Sequence, residues 1–155
     1  MKASRLLKEI RENLKDYPIE YLKNKITDVR YQDPLTKSLA KYNSSVYDEI
    51  YEKELVEDFK INDGVIQKIK WDINFYFDKY APSDIETKEF TKYISLYLAL
   101  IAKKPLHPYG NNPKEDEVYF KNNCYYCKGR IKFIKDNRSL CKYCVCKNPP
   151  FAFSF

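Results

Sequence analysis

The stretch SDIETKEFTKYISLYLALIAKK, residues 83–104, decides the fold class. Phe90, Ile94, Tyr97, Leu98 and Ile101 recur at three- and four-residue intervals, which places them on one face of an α-helix. The tetrapeptide Ser83-Asp84-Ile85-Glu86 ahead of them matches a capping box, in which Ser83 and Glu86 satisfy otherwise unpaired amides. Lys103 and Lys104 suit the negative end of the helix dipole, and Pro105 halts the pattern. No other face in the chain is as apolar, so this helix is expected at the centre of a bundle.

Working outward toward the N-terminus, Leu6, Leu7, Ile10 and Leu14 repeat at helical spacing behind a Ser4 cap, and Pro18 ends that pattern. Pro18 can open a second helix with Tyr21, Leu22, Ile26 and Val29 on one face, until Asp33-Pro34 marks another break or start. After Asn43-Ser44-Ser45 comes a segment with Tyr47, Ile50, Tyr51, Leu55 and Phe59 in register, and Asn62-Asp63-Gly64 reads as a turn. Ile66, Ile69, Ile73, Phe77 and Tyr80 form a further stripe, stopped by Ala81-Pro82. The expected fold is all-α, with about five helices bundled over residues 1–104. A linker follows over 105–123, where Pro105, Pro108, Gly110 and Pro113 exclude regular helix. A small cysteine-rich module and tail occupy 124–155.

Bulk composition agrees with a folded chain. Its 155 residues are 44% hydrophobic and 32% charged, with 15 Tyr and 9 Phe to fill a core. The N-terminus goes directly into a charged amphipathic pattern without the apolar run of a signal peptide, and the longest apolar run, 93–102, has about half the ~20 residues of a membrane span. A soluble, cytoplasmic protein is expected, with no membrane partner. Its net charge of +6 is unevenly placed: residues 1–104 hold 19 Lys and Arg against 18 Asp and Glu, whereas residues 118–155 hold 8 against Asp136 alone. The positive field therefore belongs to the cysteine module.

In that module Cys124-Tyr-Tyr-Cys127 and Cys141-Lys-Tyr-Cys144 stand 13 residues apart. Each Cys-x-x-Cys can fold as a tight turn aiming two sulfurs at one ion, and two such turns complete a tetrahedron. Gly129 can supply the positive backbone angle that closes the first turn. Arg130-Ile131-Lys132-Phe133-Ile134 alternates as a half-buried strand does, with Lys135-Asp136-Asn137 as turn residues, so a metal-stapled hairpin is expected. Four thiolates leave no open coordination position, which favours a structural Zn²⁺ over a catalytic one. Iron, in a rubredoxin-like or iron–sulfur centre, is the second reading, kept open by the fifth thiol, Cys146; a spare buried cysteine is the plainer account of that residue.

His107 is the single histidine, and it lies beside Pro108 in the linker. With no second histidine, most acid–base and nucleophile arrangements lack their usual proton carrier, and there is no Gly-rich phosphate loop, G-x-S-x-G or H-E-x-x-H. No catalytic residue is assigned. The acidic stretch Asp48, Glu49, Glu52, Glu54, Glu57 and Asp58, interspersed with Lys53, reads as a solvated face.

Pro105-Leu106-His107-Pro108-Tyr109-Gly110, then Tyr125-Tyr126, then Leu140-Cys141-Lys142-Tyr143-Cys144-Val145 resemble the C-terminal signature of an uncharacterised family of methanogenic archaea, domain-of-unknown-function family 2115. The likeness covers roughly residues 105–147 as motif, and the helical region ahead of it fits loosely. It implies an archaeal cytoplasmic protein of unassigned function. The family pattern of a His-Pro-x-Gly, one cysteine and a Cys-x-x-Cys falls on His107, Cys124, Cys141 and Cys144, itself a Cys3His set. Cys127 and Tyr125 depart from it, which leaves the fourth ligand between Cys127 and His107; the shorter loop closure favours Cys127.

Three functions follow as expectations. Lys128, Arg130, Lys132, Lys135 and Arg138, interleaved with Tyr125, Tyr126 and Tyr143, can bind RNA or single-stranded DNA. In that reading Arg130 and Lys132 share one strand face opposite Ile131 and Phe133. A protein–protein adaptor with a structural zinc is the alternative, and a redox or iron–sulfur protein using Cys146 the second. Phe151, Phe153 and Phe155 are expected either to fold onto the core or to form a docking patch.

Overall fold

The computed structural model describes residues 1–30, 33–136 and 139–150. Among them, five helices of at least two turns come first: α1 (Ala3–Leu14), α2 (Ile19–Thr27), α3 (Pro34–Glu52), α4 (Asp63–Tyr80) and α5 (Ile85–Leu96). A two-stranded antiparallel sheet of β1 (Val118–Lys121) and β2 (Cys124–Cys127) follows, then a single helical turn, α6 (Arg130–Phe133), and a 3₁₀ turn over Leu140–Tyr143. No helix among the described residues is long and apolar enough to cross a membrane.

α5 lies at the centre, packed against α1, α3 and α4, while α2 packs on α3. Phe90, Tyr93, Ile94, Leu96, Tyr97, Leu98 and Ile101 are buried, as are Leu6, Leu7, Ile10 and Leu14 of α1 opposite. Each such aliphatic side chain contributes about 1.5–3 kcal/mol over its exposed state, so this run outweighs any other element in the core. The helix widens to a π-helical turn over Tyr97–Ala102 and stops where Lys103 turns left-handed (φ 54°), its amide returning to the Leu98 carbonyl. Pro105 cannot extend it.

Several boundaries differ from expectation. The cap of α5 is Asp84, whose carboxylate accepts from the Thr87 amide, and not Ser83. α1 is capped at Lys2, and Ser4 instead donates its amide and hydroxyl to Asp58. Asn62-Asp63-Gly64 starts a helix, since the Asn62 side chain accepts from the Gly64 and Val65 amides. α3 runs unbroken through Asn43-Ser44-Ser45 from an Asp33 cap with Pro34 at its first position, and the small Ser44 side chain is buried. α3 ends at Glu52, so Leu55 and Phe59 reach the core from a loop. In α2 only Leu22 is buried; Tyr21 and Val29 are exposed.

Two further corrections fall in the cysteine module. Residues 130–134 were expected as a strand, yet Arg130–Phe133 forms a helical turn in which Ile131 and Phe133 are exposed. The physical reason is that β2 has no free edge: β1 occupies one side, and Lys147 pairs with Tyr125 and Cys127 on the other. The hairpin is therefore β1–β2, joined through Asn122 and Asn123, and β1 lies inside the segment expected as linker. Gly129 does not take a positive φ but sits at −80° as the cap of α6. An added Cβ there would stand 3.2 Å from a carboxylate oxygen of exposed Glu117, which would have to shift slightly.

Candidate metal centre

The sheet register sorts the cysteines. Side chains alternate along a strand, so Cys124 and Cys127, three residues apart in β2, project to opposite faces. The first Cys-x-x-Cys is thus not a turn converging on one ion. Cys127 faces a cavity of about 250 Å³ between helices and module, which Cys141, Cys144, Cys146 and His107 also line; Cys124 does not. Its sulfur lies 3.9 Å from the Lys147 ammonium on the other face.

The helical side of the cavity is mainly apolar, with Leu39 of α3, Phe90, Ile94 and Leu98 of the central helix, and Pro105 and Leu106, beside the uncharged polar Asn43, Thr91 and Ser95. The module side carries the sulfur. The 3₁₀ turn places Cys141 and Cys144, with Ser139 capping it through the Cys141 amide. Amides of Gly129 and Arg130 donate to the Cys127 sulfur, and those of Cys146 and Leu106 to the Cys144 sulfur. A hydrogen bond from the Cys146 thiol, aided by these amides and by His107, brings the Cys144 thiol down to about 6 despite burial. The same bond, with burial and the neighbouring Cys144 and Cys127, holds Cys146 protonated. Burial pushes the Cys127 thiol up, against the two amides.

Among the described residues, no three His, Cys, Asp or Glu side chains stand close enough together to hold an ion as placed. The Cys146 thiol is turned toward Cys144, and the Cys127 and Cys144 sulfurs toward amides. Cys146 is buried, whereas Cys127, Cys141 and Cys144 are half-buried.

Of the residues expected to bind nucleic acid, Lys128, Lys132 and Lys135 are exposed, but Arg130 is half-buried and lines the cavity. Successive side chains two apart on a helical turn diverge, so Arg130 and Lys132 do not share a face as the strand reading required. The Arg130 Nε is buried without a hydrogen-bond partner. Arg138, Phe151, Phe153 and Phe155 lie outside the described residues. Sequence reasoning overlooked the placement of Arg130 at the cavity and the cysteine surroundings of Cys146; alternation along β2 was a signal only for the separation of Cys124 from Cys127.

Residues 2–149 match the family model for an uncharacterized protein conserved in archaea, DUF2115. The chain belongs to this family. It is similar to UPF0305 protein MJ0646 of Methanocaldococcus jannaschii, 31% identical over 160 positions covering 96% of this chain and 97% of that one. It is also similar to UPF0305 protein MmarC7_1691 of Methanococcus maripaludis, 32% identical over 98 positions, or 62% of this chain and 59% of the other. No solved structure matches. The archaeal family expected from residues 105–147 thus extends along nearly the whole chain.

Proposed function

We propose that this family member is a zinc-binding protein whose metal fastens the C-terminal module to the helical bundle. The observation that carries the reading is the cavity that gathers Cys127, Cys141 and Cys144 from two elements, with backbone amides already aimed at two of the sulfurs. Amides that donate to sulfur favour thiolate, the form that ligates metal. The orphaned Arg130 Nε fits the same account, because a thiolate-rich centre carries net negative charge and a buried cation beside it gains a partner. Zinc bound by thiolates alone would supply structure, not a Lewis-acid position for substrate. The cytoplasm, where thiols stay reduced, suits such a centre.

Elemental analysis of protein purified under reducing, chelator-free conditions is expected to find one zinc per chain. Absence of stoichiometric metal would reject the reading, and iron with visible absorption would turn it to the iron–sulfur alternative. A second reading rests on the three exposed lysines around α6, with exposed Phe133 beside Lys132: binding of RNA or single-stranded DNA. Titration of labelled single strands at two salt concentrations tests it. Affinity that falls with salt and with Lys128→Ala plus Lys132→Ala supports it; no binding leaves the metal-stabilised adaptor.

A further inference from the structure

Resting on the zinc reading above, we infer that the fourth ligand is Cys146 and that Cys124, despite its Cys-x-x-Cys spacing, stays outside the centre. The argument is one of faces. Lys147 pairs with β2 in parallel, opposite Tyr126, its amide donating to the Tyr125 carbonyl at 2.9 Å and its carbonyl accepting from the Cys127 amide at 3.0 Å. Bridged residues point the same way, so Tyr126, Lys147 and Cys124 share one face, as the 3.9 Å approach of the Lys147 ammonium to the Cys124 sulfur bears out. Cys146, one residue before Lys147, points to the opposite face, the one that carries Cys127. Val118 opposite Cys127 lines the cavity from that same face.

Burial and bonding agree with the register. Cys146 is 4% exposed, its thiol hydrogen-bonds the Cys144 sulfur, and Cys127 and Arg130 are close enough to act on it electrostatically. His107 also lines the cavity but is an exposed residue. Coordination requires the thiols to turn from one another toward a common point, by rotation about χ1 between staggered wells. The set Cys127, Cys141, Cys144 and Cys146 then gives four sulfurs from three elements, and the Arg130 guanidinium offsets part of their charge.

Cobalt substitution tests the set in the full-length protein. The intensity of sulfur-to-cobalt charge transfer per bound ion counts thiolate ligands, and it does so whatever fraction of a variant is folded. Wild type is expected to show the intensity of four thiolates. Cys146→Ser and Cys146→Ala should each lose roughly a quarter of it and weaken Zn²⁺ by more than the roughly 10- to 100-fold that loss of an outer hydrogen bond causes. Cys124→Ser should leave both within about twofold, well short of that range, and His107→Ala should leave the charge-transfer intensity per ion unchanged. Loss on Cys124→Ser or His107→Ala with Cys146→Ala unaffected would overturn the assignment while leaving the zinc reading intact. Wild-type protein that takes neither Co²⁺ nor Zn²⁺ would reject both.

Discussion

The carboxylate of Glu49 shows how one side chain can leave a solvated stripe and become a clasp. It accepts from the Lys104 ammonium and from the hydroxyl of fully buried Tyr97, tying α3 to the end of the central helix. Burial raises its pKa, but the Lys104 and Tyr97 hydrogen bonds outweigh that and hold the carboxyl below the usual carboxylate range. A lowered folded-state value stabilises the protein above the unfolded value and is lost as pH falls through the folded one. Glu49→Gln should therefore cost about 1–2 kcal/mol at neutral pH, a figure reduced for partial exposure, and less in acid, once the pH has fallen through the titration of the folded carboxyl. Urea midpoints at neutral and at acid pH check it; an equal gap at both would show that the carboxylate's charge is not the source. Nothing local marks Glu49 apart from Glu52 or Glu54, because its partners lie 48 and 55 residues away. The same holds for Asp58, whose partner Ser4 is 54 residues distant. Long-range polar pairing is invisible to periodicity, whereas the apolar stripe of residues 90–101 was legible because burial repeats at the helical period.

At the scale of elements, the hairpin β1–β2 decides that Cys127 and not Cys124 lines the cavity. Asn122 and Asn123 join the strands with φ of 52° and 61°, the paired left-handed angles that suit the twist of a two-residue hairpin turn. Asparagine tolerates that region; a β-branched residue does not. Asn123→Val should destabilise by about 1–2 kcal/mol and lower metal affinity with it, while Asn123→Gly leaves both unchanged or improved. Denaturant unfolding with a zinc-competition titration measures the two effects together. Were Asn123→Val silent in both, the hairpin would not be what positions Cys127. Val118-Tyr-Phe-Lys121, an Asn-Asn pair and Cys124-Tyr-Tyr-Cys127 are in hindsight a readable hairpin, two apolar-rich runs around turn formers. The cysteine spacing drew the opposite conclusion because Cys-x-x-Cys looks identical in a turn and in a strand. Alternation in residues 130–134 was genuine, but a strand needs a free edge to join, and edge occupancy is not written in the strand's own residues.

For the whole molecule the question is how far the module depends on the bundle. Polar and apolar contacts join them without any metal: the Tyr143 hydroxyl donates to Asp72 of α4 at 2.7 Å, Lys142 pairs with the same carboxylate at 3.2 Å, and the Tyr42 hydroxyl donates to the Pro105 carbonyl. Leu106, Leu140 and Tyr143 pack against the core. The core itself, built from α1, α3, α4 and the central helix, includes none of the five cysteines. Removing the proposed zinc should then loosen one side of the cavity and spare the other. In wild-type protein treated with a chelator, and in Cys141→Ser, amide exchange is expected to accelerate across residues 118–147, while the amides of α1 and α5 stay slow and helical circular dichroism is retained. Adding back zinc at about 100 times its dissociation constant should restore roughly 2.7 kcal/mol to the opening of the module. Asp72→Ala, which cuts the fastening at α4, should hasten exchange at residues 140–143 more in the chelated protein than in the loaded one, because in the proposed centre metal and carboxylate would hold the same 3₁₀ turn. Equal acceleration in both states would mean that the two fastenings act independently, and loss of helical signal on chelation would mean that bundle and module fold as one cooperative unit.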